Sequence, residues 1–477
     1  MNMEFFNTQE NLNDNLNDNL NNNGDTIAAI STPLAPGGIG VIRVSGSSAR
    51  EIADKVFKSV GGKKLTQIDG YTALYGGVYS ESGEKLDECV ALNFIAPKSF
   101  TGEDTVELSC HGGVYILRKV LEALYAFGAR PAQAGEFTKR AFLNGKMDLA
   151  QAESVMDLIS AQSMQSARAA LSVKEGALSK KVGKITEALV DLGAHLSAWA
   201  DYPDDDIPQV DDEMLRERLS FAESELKKLI DSFDAGKILR QGVNTVIAGK
   251  PNAGKSTLMN LLSGCERSIV TSIAGTTRDV VEESVMLGDV PLRLADTAGL
   301  RDTDNEVEKI GVQIAKNRLK SAELVFAVFD SSVPLTEDDF ELIDAIKDIP
   351  SVAVINKTDL DSKIDIKYIE QKFENIVYIS ALSGEGIDNL KNAVDKIFGT
   401  GKVDFTSGVL YSERQKNDAL KAYEAVKEAK EAFEYGFTLD AVTVSCEAAV
   451  SALLELTGQR ASEEIVAQVF EKFCVGK

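Results

Sequence analysis

The sequence predicts a multidomain α+β chain: an α+β domain at the N-terminus, a discontinuous α-helical domain, and an α/β domain inserted between its two parts. Three observations predict it. The 477 residues amount to about three domains at roughly 150 residues each. Residues 148–199 are rich in Ala, Leu, Ser and Gln and nearly free of Pro, and residues 412–435 are charged and amphipathic, both marks of long helices. Between them, residues 243–398 alternate short apolar runs with helical patterns, as a parallel sheet with helical crossovers requires.

Residues 1–24 hold the four-residue repeat NLNDNLNDNL and further Asn, which disfavours helix, so a disordered Asn-rich leader is expected. The N-terminal domain is expected over residues 25–140. It has strands at Ile27-Ala28-Ala29-Ile30 and Val41-Ile42-Arg43-Val44 around the turn-forming Pro36-Gly37-Gly38, and a helix over 49–60. Further strands are expected at 71–79, 88–95 and 106–109, then a helix over 115–127. The first helical part spans 141–236, with an acidic break at 201–208 and a helix over 211–234. The α/β domain spans 237–399, and the second helical part 400–477. Hydrophobic residues at 44% supply enough apolar surface for several cores. There is no apolar run long enough to span a bilayer, and Met1-Asn2-Met3-Glu4-Phe5-Phe6 has neither a basic nor an apolar signal region. The five cysteines (Cys89, Cys110, Cys265, Cys446, Cys474) are odd in number and scattered. They argue against a disulfide framework and for a reducing cytoplasm. Cys110-His111 is too poor in partners for a metal centre.

Gly249-Lys250-Pro251-Asn252-Ala253-Gly254-Lys255-Ser256 matches a phosphate-binding loop and follows the apolar run 243–248. Strand, glycine loop and helix are the context this motif needs. Backbone N–H groups of Asn252, Ala253, Gly254 and their neighbours would wrap phosphates, with Lys255 on the β- and γ-phosphates and Ser256 on Mg²⁺; Thr257 follows in the helix. Asp296-Thr297-Ala298-Gly299, Asn356-Lys357-Thr358-Asp359 and Ser380-Ala381 follow in order, each after an apolar run. Together these resemble the motif series of Ras-like GTPases. Asp359 accounts for the base, because a carboxylate accepts from guanine N1–H and its exocyclic amine together, whereas adenine offers neither donor there. Gly275-Thr276-Thr277-Arg278-Asp279 supplies a switch segment, with Thr277 on Mg²⁺. Leu300 stands where many such proteins carry a water-orienting Gln, so hydrolysis needs another group. Acidic residues within 302–308 are candidates, or that segment is a solvated loop. A monovalent cation near Asn252 could neutralise charge where an arginine finger does so elsewhere.

With DTIAA at residues 25–29, SFTGED at 99–104, PAQAGEFTKRAFLNGKMDL at 131–149, GKPNAGKS, GTTRD, DTAGLR and the terminal FCVGK, the chain resembles the tRNA-modifying GTPase family MnmE/TrmE. The resemblance implies an N-terminal folate-binding-like domain that drives homodimerisation, a discontinuous helical domain and an inserted Ras-like GTPase domain. It implies a flavoprotein partner, MnmG, carrying the FAD. The activity it implies is addition of a carboxymethylaminomethyl or aminomethyl group to carbon 5 of the wobble uridine in certain tRNAs, from a tetrahydrofolate derivative. By the same resemblance K⁺ is held by Asn252, Thr271, Ile273 and Thr276, and Glu308 is the catalytic glutamate. Arg43, Glu103 and Lys146 line the folate site, and Cys474 either assists the modification or belongs to a tail that only docks there. Taken alone, Arg43 within its strand and the loop Thr101-Gly102-Glu103-Asp104 each read as surface charge.

A GTPase that assists ribosome assembly would carry the same nucleotide motifs; so would a scaffold with residual nucleotide binding. The folate-like module and the FCVGK tail speak against the first, and the intact Lys255, Ser256, Thr277 and Asp296 against the second. Net charge is −23, yet residues 25–140 hold 13 basic and 13 acidic residues. Such a balance excludes a broad electrostatic binder of nucleic acid and leaves room for a local contact. Weak tRNA binding by the chain alone, and no membrane insertion, are therefore expected.

Overall fold

The computed structural model describes residues 25–201, 212–264, 283–294, 321–399 and 407–477. These form two compact units: Met1–Met156 with Val182–Leu219 and Glu424–Lys477, and Asp157–Lys181 with Ser220–Tyr423.

The first unit carries a seven-stranded sheet in the order β3-β4-β5-β6-β2-β1-β7. Its strands are β1 (Ile27–Ile30), β2 (Ile39–Ser45), β3 (Phe57–Ser59), β4 (Thr72–Tyr79), β5 (Lys85–Phe94), β6 (Thr105–His111) and β7 (Arg130–Pro131). All pairings are antiparallel except β1 with β7. Period-two alternation divides the faces. Ala28, Ile42, Val44, Val106 and Leu108 point into a core shared with helices α1 (Ala49–Val56) and α2 (Val114–Ala126). Helix α1 ends at Val56 rather than running to residue 60, because the chain turns extended at Phe57 and pairs with β4. On the other face, Ile27 and Ala29 meet Phe137 of α3 (Glu136–Leu143), with Phe100 packed alongside.

Helices α4 (Leu149–Ser160), α5 (Met164–Lys174), α6 (Ala177–Asp201), α7 (Asp212–Asp231) and α8 (Phe233–Gln241) follow. The helix expected over 211–234 is thus two helices, and α8 runs through the expected domain boundary at 236. Near the C-terminus lie α13 (Glu413–Glu434), α14 (Leu439–Thr457) and α15 (Glu463–Glu471). Leu149, Ala152 and Val155 of α4 share a core with Val466 and Phe470 of α15 and with Phe473, so the central and terminal helical stretches pack together there. Among the described residues no helix is long and apolar enough to cross a membrane.

The second unit holds a six-stranded sheet in the order β13-β12-β11-β8-β10-β9. Its strands are β8 (Val243–Ala248), β9 (Glu283–Leu287), β10 (Val290–Leu294), β11 (Leu324–Asp330), β12 (Ser351–Asn356) and β13 (Ile376–Tyr378). Only β9 runs antiparallel. Strand β11 is buried at every position, as a central parallel strand covered on both faces should be. Helices α9 (Lys255–Gly264), α10 (Glu337–Ala345), α11 (Ile366–Glu370) and α12 (Ile387–Phe398) complete the layers. Because β8, β11, β12 and β13 are parallel, the loops after them gather at one edge of the sheet, where open α/β folds bind ligands.

Candidate nucleotide and cofactor sites

The loop after β8 is the glycine-rich segment, and α9 starts at Lys255. Gly254 has φ +100, and a Cβ there would lie 2.1 Å from Asn356 Nδ2, so both conformation and space demand glycine. Asn252 also adopts a positive φ, of 62°. Its side chain is exposed, as are Ser256 and Thr257 at the helix start, whereas Ala253 is buried. Lys255 Nζ donates to the carbonyls of Gly249 and Lys250 at 2.8 and 2.9 Å. Burial pulls its ammonium below the ordinary lysine value. Anionic phosphates at the helix N-terminus would reverse that penalty.

The base loops are stitched to the phosphate loop by Asn356. Its Nδ2 donates to Ala253 O at 2.9 Å, and its Oδ1 accepts from Ala381 N at 2.9 Å. One buried amide therefore fixes three segments, as a fully satisfied buried polar group can. Asp359 Oδ1 accepts from Ser380 Oγ at 2.8 Å, which orients the carboxylate that would read guanine. Lys357 has φ 63, and its Nζ lies 2.6 Å from Asp330 Oδ2. Burial would raise Asp330, but bonds from Lys357 and Ser332 more than offset it and hold the carboxyl below the usual range. Ser331 Oγ donates to Lys357 O at 2.8 Å. Sequence reasoning missed Asp330 and Ser331; the available signal was an acid closing the apolar run Leu324-Val325-Phe326-Ala327-Val328-Phe329. Thr271, Ile273, Thr276, Thr277, Asp296, Gly299 and Glu308 lie outside the described residues, as does Cys265.

In the first unit, Arg43 is no surface charge. Its side chain is 16% exposed and pairs with Glu107 at 2.7 Å across β2 and β6. The guanidinium lies over the rings of Phe100 and Phe137, 5.3 and 5.6 Å from their centroids. Two residues along the same strand face, Ser45 Oγ donates to Glu103 Oε2 at 2.8 Å. Arg140 Nη1 bonds both Glu103 oxygens at 3.1 Å. The Lys146 stem packs beside Gly102, and its Nζ donates to Pro97 O at 2.9 Å. Arg43, Glu103 and Lys146 thus share one side of the sheet. Behind Glu103, Arg140 also pairs with Asp25 at 2.6 Å and Glu136 at 3.1 Å, and Arg130 bonds both of these acids.

Burial disfavours ionised Glu136, but Arg130, the Gln133 amide and Arg140 outweigh it and hold its carboxyl below the usual glutamate range. A lowered folded value stabilises above the unfolded one and is lost as pH falls through the folded value. Denaturant titrations between neutral pH and about pH 3.5 should therefore show a shallower acid decline in Glu136→Gln than in the parent. Identical acid limbs would contradict this.

The terminal segment lies on the same domain. Gly135 N donates to Cys474 O at 3.3 Å, and Ala134 forms a bridge with Val475. Gly476 has φ +95, and a Cβ on it would meet Ile30 O at 2.4 Å, so the tail fits against β1 only with glycine there. Cys474 is partly exposed, while Cys89, Cys110 and Cys446 are buried, and none of these four is in a disulfide. Burial pushes the Cys446 thiol up to about 12.

Two family models match the chain: "GTP-binding protein TrmE N-terminus" over residues 26–146 and "MnmE helical domain" over residues 149–474. The tRNA modification GTPase MnmE of Clostridioides difficile (strain 630) is 40% identical over 458 residues, 95% of this chain and 99% of that protein. The chain belongs to the MnmE family of tRNA modification GTPases. Its counterpart from Lactococcus lactis subsp. lactis (strain IL1403) is 43% identical over 455 residues, 95% of this chain and 98% of that protein. A crystal structure of Aquifex aeolicus Era bound to GDP.AlF4- is 29% identical and covers 38% of this chain and 66% of that one, with a TM-score of 0.26.

Proposed function

We propose that the chain is a K⁺-activated GTPase that acts with a flavoprotein partner, MnmG, to modify carbon 5 of the wobble uridine in certain tRNAs, using a tetrahydrofolate derivative. The observation that carries this reading is the tail. Residues 474–476 dock against β1 and the 134–135 loop that leads into Phe137, whose ring supports Arg43. A GTPase that only switches has no use for a terminus held on a charged and aromatic face of another domain.

That face suits a folate. The half-buried Phe100 offers ring surface for a pterin, buried Phe137 backs Arg43, and Arg43 and Lys146 offer cations for the folate's carboxylates. When bound, the folate supplies the one-carbon unit; the residues here hold and orient it, and Arg140 keeps Glu103 in place. Ser256 and Thr277 would hold Mg²⁺, and the exposed Asn252 side chain, with Thr271, Ile273 and Thr276, would hold K⁺. FAD belongs to the partner. Tyr75 and Val90, paired across β4 and β5, leave 55% and 40% of their surface exposed on the outer sheet face. Covering them supports homodimerisation through this domain. The domain boundaries 25–140, 141–236, 237–399 and 400–477, and a cytoplasmic location, belong to the same proposal.

The cation reading has a direct test. Steady-state GTP hydrolysis in K⁺ should exceed that in Na⁺ by at least about tenfold, since neutralising transition-state charge is the work an arginine finger does elsewhere. Glu308→Ala should keep nucleotide affinity and lose about 100-fold in turnover, the usual scale for acid–base and water-positioning groups. Equal rates in the two salts would remove K⁺ from the account.

A further inference from the structure

We infer that Asp339 is a positioning residue for the phosphate loop, acting through Lys250. The inference rests on the nucleotide reading of that loop and adds a residue that no motif in the sequence marks.

Lys250 has two roles in the geometry. Its backbone carbonyl accepts from Lys255 Nζ at 2.9 Å, which makes it part of the cradle around the loop's functional lysine. Its side chain instead reaches the segment after β11, donating to Asp339 Oδ2 at 2.8 Å and to Pro334 O at 3.4 Å. The Asp339 side chain is 1% exposed and that of Lys250 13%. The same Oδ2 accepts from Thr336 N and Thr336 Oγ1 at 2.8 and 2.9 Å, closing a capping box at the start of α10. Asp339 Oδ1 is buried with no hydrogen-bond partner among the described residues.

Burying a carboxylate this deeply is costly unless a cation pairs with it, so the ion pair holds Lys250 there. The capping box in turn fixes where the carboxylate sits. The result is a tie from the phosphate loop to the first turn of α10 and the loop that follows β11. It sets the Lys250 carbonyl, and with it the position of Lys255 before phosphate arrives. A loop already in its binding shape loses less entropy when ligand binds. The sequence hides this tie because Lys250 and Asp339 are 89 residues apart; Lys250 fills an unspecified position of the glycine-loop motif, and Asp339 closes the ordinary acidic run Glu337-Asp338-Asp339.

The test is Asp339→Asn in the full chain, with GTP and ITP as paired probes. The amide keeps an acceptor for the Thr336 cap but loses the charge that holds Lys250. Affinity for both nucleotides should fall together by about tenfold, the scale of one charge-assisted hydrogen bond. Turnover at saturation should stay within about twofold, the pattern of lost uniform binding. ITP lacks the exocyclic amine, so the GTP-to-ITP ratio reports Asp359 and should not move. Lys250→Gln, which breaks the same pair from the loop side, should give a fall in the same pattern, and it serves if Asp339→Asn fails to fold. Unchanged affinity in the variant that folds would overturn the inference. So would a changed GTP-to-ITP ratio, because general loosening of the domain would disturb the base loops as well. If the parent chain bound neither nucleotide, the nucleotide reading itself would fail, which is a separate result.

Discussion

Asp359→Asn should lower GTP affinity by at least about 1000-fold while creating affinity for xanthosine triphosphate. The carboxylate accepts two guanine donors, and Ser380 Oγ holds its Oδ1 at 2.8 Å. In the variant one acceptor becomes an amine, which then faces the exocyclic amine of guanine, donor against donor. Xanthine presents a carbonyl at that carbon and keeps N1–H, so the new amide matches it. A site built to pair polar groups rejects a mismatched partner by several powers of ten because the buried groups are left unpaired. The stitch from Asn356 to Ala253 and Ala381 does not involve Asp359, so the fold of the loops should survive. Equilibrium binding with both nucleotides checks this. GTP affinity within tenfold of the parent would mean that another group reads the base.

Some of this molecule was legible in local pattern. The strand at 243–248, the glycine loop and the helix from Lys255 follow from residues adjacent in sequence, and the structure has them at those positions. Element ends were harder. Nothing in residues 49–60 shows that Phe57 will find a partner strand and leave the helix; that depends on β4, more than a dozen residues further on. Nor does the run through residue 234 reveal a break between α7 and α8. Charges were hardest to read. Arg43 alone looks like a surface residue, and only pairing with Glu107, 64 residues away, and stacking on Phe137 bury it. Asp330, Asp339 and Arg140 share that property: each works through a partner that sheet topology supplies. The net charge of −23 is of the same kind, since a total does not show where a neutral domain sits within an acidic chain.

The second large effect concerns Lys255. Its ammonium is held against the Gly249 and Lys250 carbonyls at the start of α9, where the β- and γ-phosphates would take it over. Lys255→Ala removes that cation from transferring phosphate charge and should abolish turnover to within assay limits. If hydrolysis drives the modification, the RNA product should vanish with it. Cells lacking this chain, and the same cells supplied with either the parent or Lys255→Ala, provide the measurement: mass spectrometry of nucleosides from their tRNA. The account predicts that wobble uridines carrying carboxymethylaminomethyl or aminomethyl groups disappear without the chain, return with the parent and stay absent with Lys255→Ala. Unchanged wobble uridines in cells lacking the chain, or full restoration by Lys255→Ala, would contradict it.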